Sequence, residues 1–272
     1  MRRFSWFNAT SLTLGFAFLY IPMIILVIFS FNASELVTVW AGFSTRWYVE
    51  LLSNDAFLDA AWVTLQVAVI SSTIATVLGT MAATVMVRGG RFRGRTLFSG
   101  MIYAPLVMPE VITGLSLLLL FIGIGLDRGV LTIVLAHTTF SMCYVSVVVS
   151  ARLISFDRSL EEAALDLGCS PFEAFRLVTL PIIAPAVISG WLLAFTLSLD
   201  DLVIASFTAG PSATTLPIKI FSSIRLGVSP EINALSTIMI AIVTVGVLIT
   251  SVMSKRNSLA QQRDEQAAAR AS

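Results

Sequence analysis

The chain has 272 residues, of which 57% are hydrophobic and only 12% are charged. Charged residues make up about 25% of an ordinary soluble domain, so this composition excludes a water-soluble globular protein and indicates a protein embedded in lipid. The formal net charge of +1 gives no reason to expect a nucleic-acid partner, and the positions of the charges carry more information than their sum.

Six apolar stretches are long enough to cross a bilayer, whose ~30 Å core requires about 20 residues of helix. A backbone in lipid must satisfy its own hydrogen bonds, so we expect each stretch to be helical. The predicted fold is an all-α membrane protein with six transmembrane helices in one domain, residues 1–272. The first stretch is longer than the apolar segment of a cleaved signal peptide, so we predict that it is retained. The stretches cover residues 12–31, 60–87, 97–125, 130–152, 182–208 and 233–253.

The basic residues predict the orientation in the membrane. With six spans, 13 of the 17 lysines and arginines fall on one side. Positive charge is enriched in cytoplasmic connections, so we predict that both termini, including the polar tail 254–272, are cytoplasmic. The predicted cytoplasmic set is Arg2, Arg3, Arg88, Arg91, Arg93, Arg95, Arg152, Arg158, Arg176, Lys255, Arg256, Arg263 and Arg270, and the external set is Arg46, Arg128, Lys219 and Arg225.

A polar loop over residues 153–180 separates the fourth and fifth stretches and is predicted to be cytoplasmic. Its pattern predicts two short helices with a turn at Gly168, because glycine readily adopts the left-handed conformation at helix ends. Ser159 and Ser170 are each followed three residues later by a glutamate, which is the spacing of a capping box, and Pro171 fits the first helical position.

The same loop has apolar faces that are too large for a loop without a partner. Ala163 and Ala164 are small, so a partner backbone could approach closely, and Pro181 is predicted to start the next span. We therefore predict a docking element for a soluble partner, with an amphipathic segment on the membrane surface as the alternative. The apolar residues are Leu160, Leu165, Leu167, Phe172 and Phe175, and the acids around them are Glu161, Glu162, Asp166 and Glu173.

The loop carries a known spacing: E-A-A, three residues, G, nine residues, an aliphatic residue, one residue, L-P, running from Glu162 to Pro181. This pattern resembles the cytoplasmic signature of the permease subunits of ABC importers, although Val178 stands where isoleucine is more common. The resemblance implies the type I importer permease fold and a 153–180 loop, called the coupling loop below, that sits in a cleft of an ATPase subunit. The residues it places at this contact are Glu161, Glu162, Ala163, Ala164, Asp166, Gly168, Phe172, Leu180 and Pro181.

Other motifs argue against chemistry on this chain. It contains no G-x-x-x-x-G-K-[ST] phosphate loop, so we expect no bound cofactor on this chain, with ATP and magnesium held by the partner ATPase. We also expect no enzyme activity, because the residues of other catalytic or metal sites are missing. A membrane serine hydrolase is disfavoured because G-x-S-x-G is absent, and we expect the single histidine, His137, to pack or to form hydrogen bonds. Cys143 and Cys169 have no metal-ligand spacing, so we predict no metal site.

Three acidic residues lie inside the apolar stretches, where a charge is costly and marks a functional candidate. Glu110 lies near the middle of the third stretch, and Asp200 and Asp201 lie toward the outer end of the fifth. Adjacent residues on a helix point about 100° apart, so both aspartates face a path only if the helix borders it broadly or breaks there. They predict a path for a cation. The alternatives are pairing with a partner subunit, capping of a broken helix, protonation and, for Glu110 after Pro105 and Pro109, a helix kink.

Residues 195–207, with 215–217 and 227–237, are similar to the polyamine branch of these permeases, most to its putrescine members and next to its spermidine members. The similarity implies a multi-pass subunit of the bacterial inner membrane whose cargo is a small aliphatic polycation. It also implies a second permease subunit, two ATPase subunits and a periplasmic substrate-binding protein. Another cargo (spermidine, an amino-acid derivative or a small ion) stays open, as does a secondary transporter, although no convincing internal repeat supports the latter.

Overall fold

The chain is described from a computed structural model that covers residues 6–36, 39–226 and 229–245. These ranges are largely helical, and their isolated strand-like contact is a bridge between Asn32 and Phe43. Arg2 and Arg3, the end of the predicted sixth span and the tail 254–272 lie outside the described residues, so the predictions made for them stay predictions.

The helices follow one another along the chain, and a π-helix (Phe175–Thr179) joins two of them into one helix of 29 residues, Pro171–Leu199. Among the described residues, one compact unit holds those up to Asp55 and from Ser223, and the other holds Ala56–Ser222. The helices are α1 (Trp6–Phe29), α2 (Arg46–Leu52), α3 (Asp55–Arg88), α4 (Arg95–Val107), α5 (Glu110–Gly123), α6 (Val130–Ser155), α7 (Ser159–Asp166), α8 (Pro171–Ala174), α9 (Leu180–Leu199), α10 (Val203–Thr208), α11 (Leu216–Leu226) and α12 (Pro230–Val245).

Four helices in the described ranges are long and apolar enough to cross a membrane: α1, α3, α6 and the Pro171–Leu199 helix. The bent pair α4–α5 makes a fifth if its halves form one broken span. The described part of α12 is shorter. The all-helical membrane architecture is therefore confirmed, whereas the count of six spans and the cytoplasmic location of both termini stay predictions.

Helix α6 is the most deeply buried of these candidate spans, and small residues bring its neighbours close to it. A Cβ on Gly79 of α3 would lie 2.7 Å from the carbonyl oxygen of Met142, and one on Gly190 of α9 would lie 3.2 Å from Val145 Cγ1. Small residues allow such close approach between helices in lipid. Helix α6 is thus packed against both α3 and α9, and it carries His137 into their shared interior.

The prediction of one helix over residues 97–125 is wrong. Helix α4 ends at Val107, α5 begins at Glu110, and the two are bent by 117°. Pro109 lacks an N–H and disfavours the helical conformation of the residue before it, and Met108 accordingly has an extended ψ of 138°. Glu110 therefore starts a helix and does not sit inside one.

The prediction of one helix over residues 182–208 is also wrong. The helix that starts at Pro171 ends at Leu199, and α10 follows a break at residues 200–202. Pro181 does not start the span, because it lies inside this helix, two residues after the end of the π-helix. A proline ring clashes with the preceding helical turn, and a wider π turn is one of the distortions that relieve such a clash.

Candidate functional site

The coupling loop begins with a cap that differs from the predicted one. Helix α7 has no capping box between Ser159 and Glu162, and its preceding residue supplies no side-chain cap. The carboxylate of Asp157 instead accepts a hydrogen bond of 3.0 Å from the backbone N–H of Ser159. This bond lowers the pKa of Asp157. The prediction at Ser159 was wrong because an aspartate two residues earlier competes for the same backbone donor.

The turn between the two short helices confirms the prediction at Gly168. Its φ of +93° is left-handed. The N–H of Gly168 bonds to the carbonyl of Leu165 at 2.9 Å, and that of Cys169 bonds to the carbonyl of Ala164 at 3.1 Å. This pair of bonds is the Schellman motif, which satisfies the last carbonyls of a helix and requires a residue without a Cβ penalty at this position.

The cap of helix α8 also confirms its prediction. Ser170 accepts a hydrogen bond from the backbone N–H of Glu173, the carboxylate of Glu173 accepts one of 2.7 Å from the N–H of Ser170, and Pro171 occupies the first turn. The bond from Ser170 lowers the pKa of Glu173. Both helices of the coupling loop therefore begin at a local cap, but the prediction of two short helices is wrong for the second, which continues without a break into the long helix Pro171–Leu199.

Some predicted contact residues of the loop face the rest of the chain. The Glu161 carboxylate lies 3.0 Å from Arg88 Nε at the end of α3 and accepts a hydrogen bond of 2.8 Å from Thr179 Oγ1. Ala164 is buried, and Leu180 packs against the core formed by residues of α3, α6 and α9. These residues anchor the loop to the helix bundle. The sequence did not identify Arg88 and Thr179 as partners of Glu161, because these contacts depend on the tertiary structure.

The opposite face of the loop is open in the described chain. Leu167 is 86% exposed and Phe172 is 72% exposed. The residues predicted from the signature that are also exposed are Glu162, Ala163, Asp166, Gly168 and Phe172 in the loop, and Pro181 in the long helix that follows it. Large exposed apolar side chains surrounded by acids mark a surface for protein interaction, so this face can receive a partner.

The second candidate region is the break between α9 and α10, where Asp200 and Asp201 differ in burial and in hydrogen bonding. Asp201 is nearly buried and its carboxylate accepts hydrogen bonds from the backbone N–H groups of Ile204 at 3.3 Å and Ala205 at 2.7 Å. It therefore caps the broken helix, which is one of the alternatives the sequence left open. Asp200 ends α9, is exposed, and forms no ion pair within the described ranges. It is the aspartate that is available to a cation.

The break is held by a hydrogen-bonded chain that includes the single histidine. His137 Nε2 lies 3.1 Å from Asp201 Oδ2, and His137 Nδ1 lies 2.7 Å from Ser198 Oγ. Ser198 Oγ in turn lies 3.2 Å from Ser71 Oγ. The expectation that His137 forms hydrogen bonds is confirmed, whereas its partners could not be identified from the sequence.

Glu110 lies at the other break. It is exposed, and it is the first residue of α5. Helix α5 packs tightly on α10, because a Cβ on Gly114 would lie 2.7 Å from Phe207 Cδ2 and 3.4 Å from Ile204 Cα. The two helices that begin at the breaks are therefore direct neighbours.

Comparison with known proteins places this geometry in a family. A family model described as "Binding-protein-dependent transport system inner membrane component" matches residues 75–258. The chain is 58% identical to the putrescine transport system permease protein PotI of Escherichia coli (strain K12), over 95% of this chain and 94% of that protein. It is 43% identical to the spermidine/putrescine transport system permease protein PotC of the same strain, over 90% of this chain and 92% of that protein.

The fold is also found in solved structures. A chain in the crystal structure of a bacterial ABC transporter involved in the import of the acidic polysaccharide alginate matches with a TM-score of 0.72, over 93% of this chain and 96% of that chain, at 18% sequence identity. This likeness supports the fold, and the sequence relatives support the family. The chain belongs to the family of binding-protein-dependent transport system inner membrane components.

Proposed function

We propose that this chain is the transmembrane permease subunit of an ATP-driven, binding-protein-dependent importer of polyamines, with putrescine as its main cargo. The observation that carries the proposal is the 58% identity to the E. coli putrescine permease over 95% of the chain. An alignment of that extent leaves out almost none of the chain.

The helix breaks supply chemistry that suits a polycation. A diammonium ion must shed much of its hydration to cross a bilayer, and that loss is costly unless other groups replace the water. Asp200 and Glu110 offer exposed carboxylates at the two helix breaks, Asp200 after α9 and Glu110 at the start of α5. Binding within such a path must stay weak enough for release, which is consistent with a few separate carboxylates and with a binding protein that supplies the affinity.

The coupling loop supplies the contact with the motor. Its outward face, built around Leu167 and Phe172, would sit in a cleft of a cytoplasmic ATPase subunit that holds ATP and magnesium. Its inward face, anchored by Glu161 and Arg88, would transmit movement of that cleft to α3. The chain itself would be non-catalytic.

The complete importer would contain further chains. A second permease subunit would complete the path, two ATPase subunits would drive it, and a periplasmic binding protein would deliver the cargo. In this arrangement the chain has the type I importer fold, six spans in the bacterial inner membrane and both termini in the cytoplasm. Closure of the ATPase pair would open the path outward, and hydrolysis would reverse it.

Restoring uptake in a strain that lacks this subunit tests the proposal. We expect expression of the chain together with its partners to restore accumulation of radiolabelled putrescine. Excess unlabelled putrescine is expected to compete, whereas amino acids are not. Uptake is expected to fail when ATP is depleted while the membrane potential is held, because the driving force is hydrolysis.

Spermidine is the second candidate cargo, because the chain is 43% identical to the spermidine/putrescine permease of E. coli. The same assay ranks the two amines by competition. Uptake that depends on the membrane potential and survives ATP depletion would contradict the proposal, as would failure of every polyamine to compete.

A further inference from the structure

His137 is a buried polar side chain whose position is explained neither by the coupling loop nor by contact with a cargo. Its side chain is 2% exposed, and that of its partner Asp201 is 8% exposed. It lies on α6 and reaches the break that follows α9. Both of its ring nitrogens have partners.

The hydrogen bonds between Ser71, Ser198, His137 and Asp201 all run in the same direction, from donor to acceptor toward Asp201. An ionised carboxylate only accepts, so His137 Nε2 must donate to Asp201, and Nδ1 of a neutral imidazole must then accept from the Ser198 hydroxyl. Ser198 Oγ can still accept the hydroxyl of Ser71 at 3.2 Å. Ser71, His137 and Ser198 come from α3, α6 and α9. These hydrogen bonds therefore connect three helices to the carboxylate of Asp201.

The Asp201 carboxylate, at the end of this series of hydrogen bonds, accepts three of them. Asp201 receives His137 and the two backbone N–H groups at the start of α10. Its neighbour Asp200 is exposed and has no ion-pair partner within the described ranges. The two adjacent aspartates therefore differ in environment, since Asp201 is hydrogen-bonded within the protein and Asp200 is exposed.

We infer that His137 is a positioning residue: it holds Asp201 in the cap of α10 and thereby presents Asp200 as the single carboxylate of this break to the cargo. The inference rests on the proposed function, since it assigns Asp200 to the cation path. Without the imidazole donor, Asp201 is free to leave the cap, residues 200–202 lose their fixed conformation, and Asp200 is no longer held in place.

Three substitutions at one position separate hydrogen bonding from packing. The amide nitrogen of glutamine can reach the place of Nε2, that of asparagine reaches only the place of Nδ1, and leucine fills the volume without a donor. We expect His137→Gln to retain at least half of the putrescine uptake rate. We expect His137→Asn and His137→Leu to lose it about tenfold, the effect of losing a hydrogen bond to a charged group.

The readout is putrescine transported per ATP hydrolysed in proteoliposomes with matched amounts of assembled complex. A positioning role predicts that His137→Leu lowers this ratio. It also predicts that His137→Leu has little further effect when added to Asp200→Asn, because His137 acts only through the contact between Asp200 and the cargo.

Equal ratios for the glutamine and leucine variants would overturn the inference, and so would additive effects of His137→Leu and Asp200→Asn. Either result can be obtained while the wild-type complex transports putrescine normally. Absence of putrescine transport by the wild-type complex would instead refute the proposed function, so the two failures are distinguishable.

Discussion

Replacing Gly168 by aspartate is expected to abolish putrescine uptake while the protein remains in the membrane at normal abundance. The glycine has a φ of +93°, and a Cβ at this position would meet nothing within 4 Å. The substitution therefore creates no clash, but it strains the turn by about 1–2 kcal/mol, the cost of a left-handed conformation for a residue with a side chain. It also adds a negative charge to the face that we assign to the ATPase. Uptake and membrane abundance are measured in the same cells.

Gly94 provides a matched control. Its φ is +88°, and a Cβ there also meets nothing within 4 Å. It belongs to the other predicted cytoplasmic connection that joins long helices, outside the coupling loop. Gly94→Asp carries the same strain and charge, and we expect it to retain most of the uptake. Equal loss in both variants would show that strain or charge alone is responsible, and would contradict a specific contact at Gly168.

Glu162→Lys reverses a charge on the same outward face of the coupling loop and is measured in the same experiment. Glu162 pairs with Arg158 at 3.1 Å, and both side chains are more than half exposed, so the pair contributes at most about 1 kcal/mol. Loss of uptake in Glu162→Lys with normal uptake in Arg158→Ala would therefore point to an external partner. Similar behaviour of the two variants would argue against such a partner.

Replacing Glu161 by alanine is expected to uncouple ATP hydrolysis from transport. Glu161 and Arg88 are only 16% and 19% exposed. Breaking a buried ion pair by removing one partner costs about 3–5 kcal/mol, and because some water reaches this pair we expect about 2–3 kcal/mol. The loop would then move without pulling α3.

The measurement is the ratio of putrescine transported to ATP hydrolysed, which we expect to fall at least tenfold for Glu161→Ala. Thr179→Val removes one hydrogen bond to the same carboxylate and is expected to have a smaller effect in the same direction, about 1 kcal/mol. A normal ratio for Glu161→Ala would show that the anchor does not carry the movement.

The parts of the coupling loop that depend on near neighbours in sequence were predictable. The turn at Gly168 and the cap formed by Ser170 and Glu173 involve residues within a few positions of one another. The cap at Ser159 is equally local, but two patterns competed there and Asp157 supplied the bond. Local chemistry thus identifies a helix end, although it does not always identify the residue that caps it.

The parts that depend on distant residues were not predictable from a single sequence. Glu161 was assigned from the signature to the ATPase contact, whereas its partner in the fold, Arg88, lies 73 positions away. His137 meets Ser198 and Asp201 at separations of 61 and 64 positions. Composition marks such residues as unusual in lipid, whereas only the packing of α3, α6 and α9 determines which groups they meet.

The helix breaks lie between these cases. Pro109 in the sequence indicated that the helix is kinked near Glu110. The size of the bend, 117°, and the close packing of α5 on α10 at Gly114 are not revealed by the sequence. At residues 200–202 no proline marks the break, so continuity of apolar residues led to the prediction of one span.

Site-specific photo-crosslinking at Leu167 tests the central claim most directly, because this side chain is the most exposed apolar group of the coupling loop. With a photoreactive residue at this position, we predict a crosslink to the ATPase subunit in the assembled importer, and none from the same residue at Leu119 on α5. Labelling of position 167 by a membrane-impermeant reagent from the periplasmic side, or a fully assembled importer that gives no crosslink to the ATPase from this position, would contradict the account.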